Sequence, residues 1–248
     1  MMGSVMWCCV SLLICGTIGY ADTSITQRER IDAYVQDGDS IPAMSSDITI
    51  VLDDKRLRIE LPYGQIVLYH ADSNSWFTLT PRAEIYSKGQ PFEVMTTTAT
   101  ESAGDSIGFV EGLSKIRPSL SGIKSITKEI NEEKVINGFR CKKFIVEVTD
   151  SADTNAAEVW TTNDLRLNYE LYTKSFPPTN FSGPQQARLC DEIAKIVGLH
   201  VLVVKRSTDF GADIRWISEV VESKEIGVPD GFYEVPDNFE LYDPKGAE

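Results

Sequence analysis

The sequence predicts an α+β fold that is mainly β, built on an antiparallel sheet with few helices. Apolar residues alternate with polar ones in a period of two over most of the chain, which is typical of strands with one buried face. Turn signals recur at short intervals between these runs, so neighbouring strands are expected to pair antiparallel. Residues 184–197 are the clearest exception, because their apolar positions follow helical spacing.

The first 21 residues have the pattern of a secretory signal peptide. Residues 6–20 are apolar or small, and Gly19-Tyr20-Ala21 is a small-x-small cleavage site, although no Lys or Arg precedes the run. The run is shorter than the roughly 20 apolar residues of a transmembrane helix. Lipidation at Cys15 is an alternative, but Ile14 stands where a lipobox normally has a small residue. We therefore expect cleavage after Ala21 and export to the periplasm or the extracellular space.

Residues 22–248 are expected to form one domain, since this length allows a sizeable core. The first 21 residues contain no charged side chain, so the net charge of −13 belongs to the remaining chain. Such a charge repels nucleic acid and anionic membrane surfaces. We therefore expect no nucleic-acid partner. No later segment is apolar enough to cross a bilayer, so we also expect no transmembrane segment.

In the first half, period-two runs separated by polar turns predict strands at 48–52, 57–61, 65–70, 75–80 and 84–86. Residues 22–39 fit either a short helix or a first strand. A Thr-, Ser- and Gly-rich stretch follows, within which apolar residues at helical spacing predict a helix over 105–116, ended by Pro118.

In the second half, the same reasoning predicts strands at 126–132, 139–148, 157–161 and 166–172, and a hairpin of 199–206 with 214–222. Ser182 and Gln185 form a capping box before the helix 184–197, and Gly198 ends that helix. Two Val-Pro pairs in the C-terminal segment fit extended segments at a sheet edge.

Cys141 and Cys190 are the cysteines that remain after cleavage, and an exported pair favours a disulfide. Strand alternation argues against it, because Cys141 points away from the side shared by Phe144, Val146 and Val148. A helix covering that side would place Cys190 across the sheet from Cys141. The disulfide between Cys141 and Cys190 is therefore left open.

No motif for catalysis, a cofactor or a metal stands out. The only histidines, His70 and His200, lie in strand-like segments, which excludes a His-rich metal site. The strained Ser turn of serine hydrolases, a phosphate-binding loop and a calcium loop are all missing. We therefore expect a protein that is not an enzyme and needs no cofactor.

Five stretches carry a family resemblance: DITIVLDDKRLRIE at 47–60, WFTLTPRAEIY at 76–86, INGFRCKKFIVEV at 136–148, AEVWTTNDL at 157–165 and VPDGFYEVPDNFEL at 228–241. Together they resemble a family of exported bacterial proteins in the LolA-like superfamily of periplasmic lipoprotein carriers. The resemblance implies a curved antiparallel half-barrel sheet with helices covering its concave face. It implies no catalytic residues.

Such an architecture would leave an apolar groove suited to a lipid or a lipoprotein acyl chain. Candidate groove residues are the apolar side chains Trp76, Phe144, Val146, Trp160, Tyr169, Ile193, Val197 and Trp216. The sequence thus predicts a non-catalytic protein of the cell envelope that binds an apolar ligand between sheet and helix. The alternatives are a structural or interaction module whose groove is filled by its own helix, and an envelope hydrolase, for which no motif is found.

Overall fold

The computed structural model describes residues 22–36, 38–89, 122–150, 154–175, 184–207 and 213–242. The strands within these ranges are β1 (Asp22–Ile31), β2 (Tyr34–Gln36), β3 (Asp39–Ile41), β4 (Met44–Leu52), β5 (Arg56–Glu60), β6 (Ile66–His70), β7 (Ser75–Thr80), β8 (Ile85–Lys88), β9 (Lys124–Ile136), β10 (Phe139–Thr149), β11 (Thr154–Thr162), β12 (Leu199–Ser207), β13 (Ile214–Ile226) and β14 (Glu240–Leu241). The α-helices within them are α1 (Tyr169–Thr173) and α2 (Pro184–Ala194).

Twelve of these strands form one sheet in the order β14-β8-β7-β6-β5-β4-β1-β13-β12-β11-β10-β9. Neighbouring strands that follow each other in the chain pair antiparallel, as the short polar turns predicted. β1 lies in the middle, where it pairs antiparallel with β4 on one side and with β13 on the other. The pairing of β1 with β13 therefore joins the N-terminal and C-terminal strands into one layer.

The predicted half-barrel with helices over a concave face is wrong. The sheet is large and mixed, it is not closed into a barrel, and the described residues contain only two α-helices, of 5 and 11 residues. The mixed character arises at one edge, where β14 pairs parallel with β8 because the C-terminal segment returns along it. A mainly-β fold is consistent with the structure.

Residues 166–172, predicted as a strand, form no strand. The chain enters α1 there instead, because Oδ1 of Asn168 accepts a hydrogen bond from the backbone nitrogen of Leu171 at 3.0 Å and caps the helix. Nδ2 of Asn168 donates to the backbone oxygen of Asp54 at 2.8 Å, which fixes α1 beside the β4–β5 turn.

Other local predictions have different outcomes. The first segment forms the strand β1, which decides between the two alternatives for residues 22–39. The predicted helix over 105–116 and Ser182 of the capping box lie outside the described residues. The predicted hairpin of 199–206 with 214–222 is confirmed by β12 and β13, which pair antiparallel.

Two clusters of buried side chains form the core. The larger contains Ile25, Ile50 and Leu57 and extends to α1 through Leu171 and Tyr172. The smaller lies between α2 and the sheet, and its members are Val146, Val148, Ala157, Val159, Leu189, Ile193, Ile196 and Val203. Burying a side chain of this size stabilises the fold by about 1.5–3 kcal/mol.

Candidate functional site

The side chains predicted to line one apolar groove lie in different places. Val146 and Ile193 are buried in the cluster between α2 and the sheet, and Phe144 packs against that cluster. The larger cluster contains or contacts three of the aromatic candidates, which are Trp76, Trp160 and Tyr169.

Val197 and Trp216 are the two candidates outside both clusters. The side chain of Val197 is 66% exposed. Trp216 is half-buried beneath Lys205, whose Nζ lies 4.4 Å from the centre of the ring, and its Nε1 donates to the carboxylate of Glu29. The structure therefore brings together only Phe144, Val146 and Ile193 from the predicted set in the cluster beneath α2.

The interface between α2 and the sheet is filled by the side chains of the helix. Leu189 and Ile193 are fully buried, and their neighbours on β10 and β12 include Val146 and Val203. An acyl chain could enter this interface only by displacing a helix whose apolar side chains already occupy it.

A cleft of about 650 Å³ opens at the C-terminal end of α2, between that end and the strands β9, β10 and β11. Its apolar surface is provided by Phe144, Ile196 and Val197. Ile196 is 5% exposed and joins the cluster beneath α2, whereas Val197 projects towards solvent. The cleft is therefore the accessible extension of the apolar layer that α2 covers. We call it the α2 cleft.

Close contacts hold the segment after α2 against the sheet. Oγ1 of Thr161 donates to the backbone oxygen of Val197 at 3.2 Å, and Nε2 of His200 donates to that of Ile196 at 2.9 Å. Gly198 has a φ of +120°, and a Cβ atom there would lie 2.7 Å from Oδ1 of Asn163 and would also clash with Thr161. Only glycine fits at this position. The sharp turn that glycine allows places Val197 at the cleft.

Charged side chains surround the apolar surface of the α2 cleft. The carboxylate of Glu192 lies 2.8 Å from Nη2 of Arg188 and 2.8 Å from Nζ of Lys195. Burial acts to raise the pKa of Glu192, but the hydrogen bond from Lys195 and the charges of both partners outweigh it. The pKa of Glu192 therefore lies below its usual value, and the side chain stays ionised.

A second cleft, of about 570 Å³, lies beside the C-terminal segment and is lined by charged and polar residues. Asp53 and Glu234 line it together with Arg56, which lies 2.6 Å from the carboxylate of Asp53. His70 also lines it and donates from Nε2 to the backbone oxygen of Tyr233 at 2.8 Å. The hydrogen bond from His70 and the ion pair of Arg56 with Glu234, at 3.9 Å, join this cleft to the C-terminal segment.

Both histidines donate a hydrogen bond to the backbone. His70 and His200 each use Nε2 to donate to a backbone oxygen. His200 is completely buried, and burial lowers its pKa to about 4, so its ring is neutral near pH 7. Within the described ranges no group of three or more His, Cys, Asp or Glu side chains is arranged to hold a metal ion.

Cys141 and Cys190 are both buried free thiols. Sγ of Cys141 donates to the backbone oxygen of Phe139 at 3.4 Å, and burial raises the pKa of Cys141 to about 11. Burial also raises the pKa of Cys190, which lies on α2. Because α2 covers the side of β10 that carries Val146, and Cys141 points to the other side, the two thiols lie on opposite sides of the sheet.

Several residues of the α2 cleft carried no signal in the sequence. Arg140, Glu133 and Asp164 line it, but each lies in a stretch that has the pattern of an ordinary polar strand or turn. The sequence predicted that the helix 184–197 ends at Gly198, but α2 ends at Ala194, and the close approach of Gly198 to β11 depends on contacts between distant segments.

No protein-family model matches the chain, and a search of curated proteins gives no significant match. The resemblance to the LolA-like superfamily therefore stays a prediction. Among the described residues, no helix has the length and apolar character needed to cross a membrane.

Proposed function

We propose that the chain is an exported, non-catalytic binding protein of the cell envelope that holds the apolar part of a ligand in the α2 cleft. The observation that carries this proposal is the apolar surface formed there by Phe144, Ile196 and Val197. The volume of about 650 Å³ falls within the range of about 300–1,000 Å³ that small-molecule sites occupy. An acyl chain or another apolar group of similar width suits such a surface.

The exposure of Val197 supports this placement. The side chain of Val197 is 66% exposed at the edge of the cleft. Covering such an apolar side chain with a ligand removes it from water, which favours binding. Phe144 is half-buried below it and could contact the same ligand. The fully buried side chains of α2 offer no comparable surface, since Leu189 and Ile193 are already covered.

The environments of His200 and of the two cysteines support a role without catalysis. A general base needs a free nitrogen within reach of a substrate, and a reactive cysteine needs a lowered pKa. The pKa of Cys141 and that of Cys190 are both raised by burial. His200 is completely buried, and burial lowers its pKa to about 4, so its ring is out of reach of a substrate.

Export rests on the signal-like pattern of the first 21 residues. Cleavage after Ala21 would leave β1 intact, because that strand begins at Asp22. The mature chain would then start at the strand that pairs with both β4 and β13. N-terminal sequencing of the protein from the cell envelope would test the cleavage site.

The experiment for ligand binding is a fluorescence titration of the purified mature chain with a fatty acid that carries a fluorophore. Val197→Asp places a charge on the apolar surface, so we expect it to weaken binding at least tenfold. Val35→Asp is the matched control, because Val35 is 62% exposed on β2 and does not line the α2 cleft. Equal binding by the two variants would refute the placement of the ligand.

A second candidate function is a structural or interaction module. It is favoured by the complete burial of Leu189 and Ile193, which fill the interface between α2 and the strands beneath it. Native mass spectrometry of the purified protein separates the two candidates. A bound acyl species supports the binding protein, whereas a bare chain that also fails to bind the fluorescent fatty acid favours the module.

A further inference from the structure

The charged side chains of the α2 cleft fall into a paired group and an unpaired group. Nζ of Lys142 lies 3.6 Å from the carboxylate of Glu129, and Lys195 is paired with Glu192. Among the described residues, the side chains of Arg140, Glu133 and Asp164 form no ion pair and no hydrogen bond, while the backbone nitrogen of Asp164 donates to Oγ1 of Thr162 at 3.2 Å. All three line the cleft.

Strand geometry places the unpaired cation on the apolar side of β10. Arg140, Lys142 and Phe144 alternate along β10, so their side chains point to the same face of the sheet. That face is the one covered by α2, since Phe144 packs against the cluster beneath the helix. Arg140 therefore lies on the same surface as the apolar floor of the cleft.

The two unpaired carboxylates lie on either side of β10. Glu133 is opposite Lys142 in the β9–β10 register, but Lys142 pairs with Glu129 instead. Asp164 follows the end of β11, whose Thr161 is opposite Lys142 in the other register. Glu133, Arg140 and Asp164 are all exposed, and they lie around the α2 cleft on β9, on β10 and in the segment after β11.

We propose that the ligand is a zwitterionic amphiphile, with its apolar tail on Phe144 and Val197, its anionic group at Arg140 and its ammonium group near Glu133 and Asp164. The proposal rests on the proposed function and names the class of ligand. A guanidinium group binds a phosphate or carboxylate through two parallel hydrogen bonds. The two carboxylates supply the opposite charge that an ammonium group requires.

A lysophospholipid with an ethanolamine head group has this chemistry, and we infer that such a lipid is the occupant. Its phosphate and its ammonium group are separated by a short linker, and its single acyl chain matches the small apolar floor of the cleft. A short apolar peptide also carries an ammonium group and a carboxylate, so it is the second source that the experiment must separate.

The test is a titration of the mature chain with four lipids of equal chain length below their micelle concentrations. The set is lysophosphatidylethanolamine, a fatty acid, an alkylamine and an uncharged monoacylglycerol, with a Leu-Leu dipeptide as a fifth compound. We expect the zwitterionic lipid to bind most tightly.

Two sets of substitutions are expected to have opposite selectivity. Arg140→Gln should weaken binding of the zwitterionic lipid and the fatty acid about two- to fivefold, because one solvent-exposed ion pair contributes that much. Binding of the alkylamine should not change. Glu133→Gln combined with Asp164→Asn should weaken the zwitterionic lipid and the alkylamine but not the fatty acid. Arg82→Gln is the matched control, because Arg82 is exposed and does not line the cleft.

The outcomes distinguish this inference from the proposed function. Equal binding of all four lipids, unchanged by Arg140→Gln, would overturn the zwitterionic ligand but retain an apolar binding protein. Tight binding of the dipeptide without the lysophospholipid would overturn the lipid assignment. Binding of none of the compounds would refute the proposed function itself.

Discussion

The hydroxyl group of Tyr233 donates a hydrogen bond to Oδ1 of Asp22 at 2.7 Å, which ties the C-terminal segment to the first residue of β1. Tyr233 is 1% exposed, and the guanidinium group of Arg56 lies 4.6 Å from the centre of its ring. Nη1 of Arg58 donates to the backbone oxygen of Phe232 at 2.9 Å. The segment after β13 is therefore fixed across β5, although strand β14 has only two residues.

We expect Tyr233→Phe to destabilise the protein by about 1–3 kcal/mol, because it removes a hydrogen bond to a carboxylate while keeping the ring. Chemical denaturation of the purified protein measures this loss. Tyr34→Phe is the control, since Tyr34 is half-buried on the short strand β2. If both variants lose the same stability, the hydrogen bond to Asp22 does not hold the C-terminal segment.

His200 should make the stability depend on pH. Its pKa in the folded state is about 4, below the ordinary 6.5, because burial disfavours the charged ring. The unfolded state therefore binds the proton more tightly. The stability that the neutral ring of His200 contributes to the fold is complete above pH 6.5 and is lost as the pH falls towards 4. A difference of this size corresponds to roughly 3 kcal/mol at the acid end.

The free energy of unfolding, measured near pH 7 and near pH 5 for the native chain and for His200→Gln, checks this prediction. Gln keeps a donor for the backbone oxygen of Ile196 but does not titrate. The native chain should lose more stability than the variant between the two pH values. An identical loss in both proteins would mean that His200 is not the titrating group.

Much of the sheet could be predicted because neighbouring strands in the sequence are also neighbours in space. The turn at Asn137 and Gly138, both with positive φ, connects β9 to β10 as its sequence indicates. The pairing of Ile25 with Ser223 joins residues from opposite ends of the chain, and no local pattern encodes it. The half-barrel prediction is wrong for this reason, since such pairings decide how a sheet ends or closes.

The site was less predictable than the sheet. Ile193 and Val146 lie in one buried cluster, and helical and strand periodicity define the apolar faces that carry them. Arg140 and Asp164 belong to the α2 cleft only through the packing of the end of α2 on β10 and β11. Charged residues on a strand are usually solvated, so nothing in the local pattern distinguishes these two from the other charged positions.

Substitutions on the buried face of α2 should lower the stability of the protein as substitutions in a core do. Ile193→Ala should destabilise the protein by about 2–5 kcal/mol, because it leaves a cavity against Val146 and Val203. Val197→Ala should change stability by no more than about 0.5 kcal/mol, since that side chain is mostly solvated. Thermal unfolding of both variants measures the difference. A small effect of Ile193→Ala would show that α2 is loosely packed and would favour ligand entry beneath it.

Gly198 should be irreplaceable because of both its backbone angle and its surroundings. With a φ of +120°, Gly198→Ala would strain the backbone and press a methyl group against Thr161 and Asn163. We expect a loss of about 1–3 kcal/mol or more, and weaker ligand binding, because Val197 would shift from the α2 cleft.

Gly227→Ala is the matched control for this prediction. Gly227 has no positive φ, and no atom lies within 4 Å of the position that the methyl group of alanine would take, so alanine should be neutral or slightly stabilising there. Chemical denaturation and the fluorescent fatty acid titration are measured on both variants. If Gly198→Ala keeps native stability and binding, the segment after α2 is free to rearrange, and the floor of the α2 cleft is not set by the close contact of Gly198 with β11.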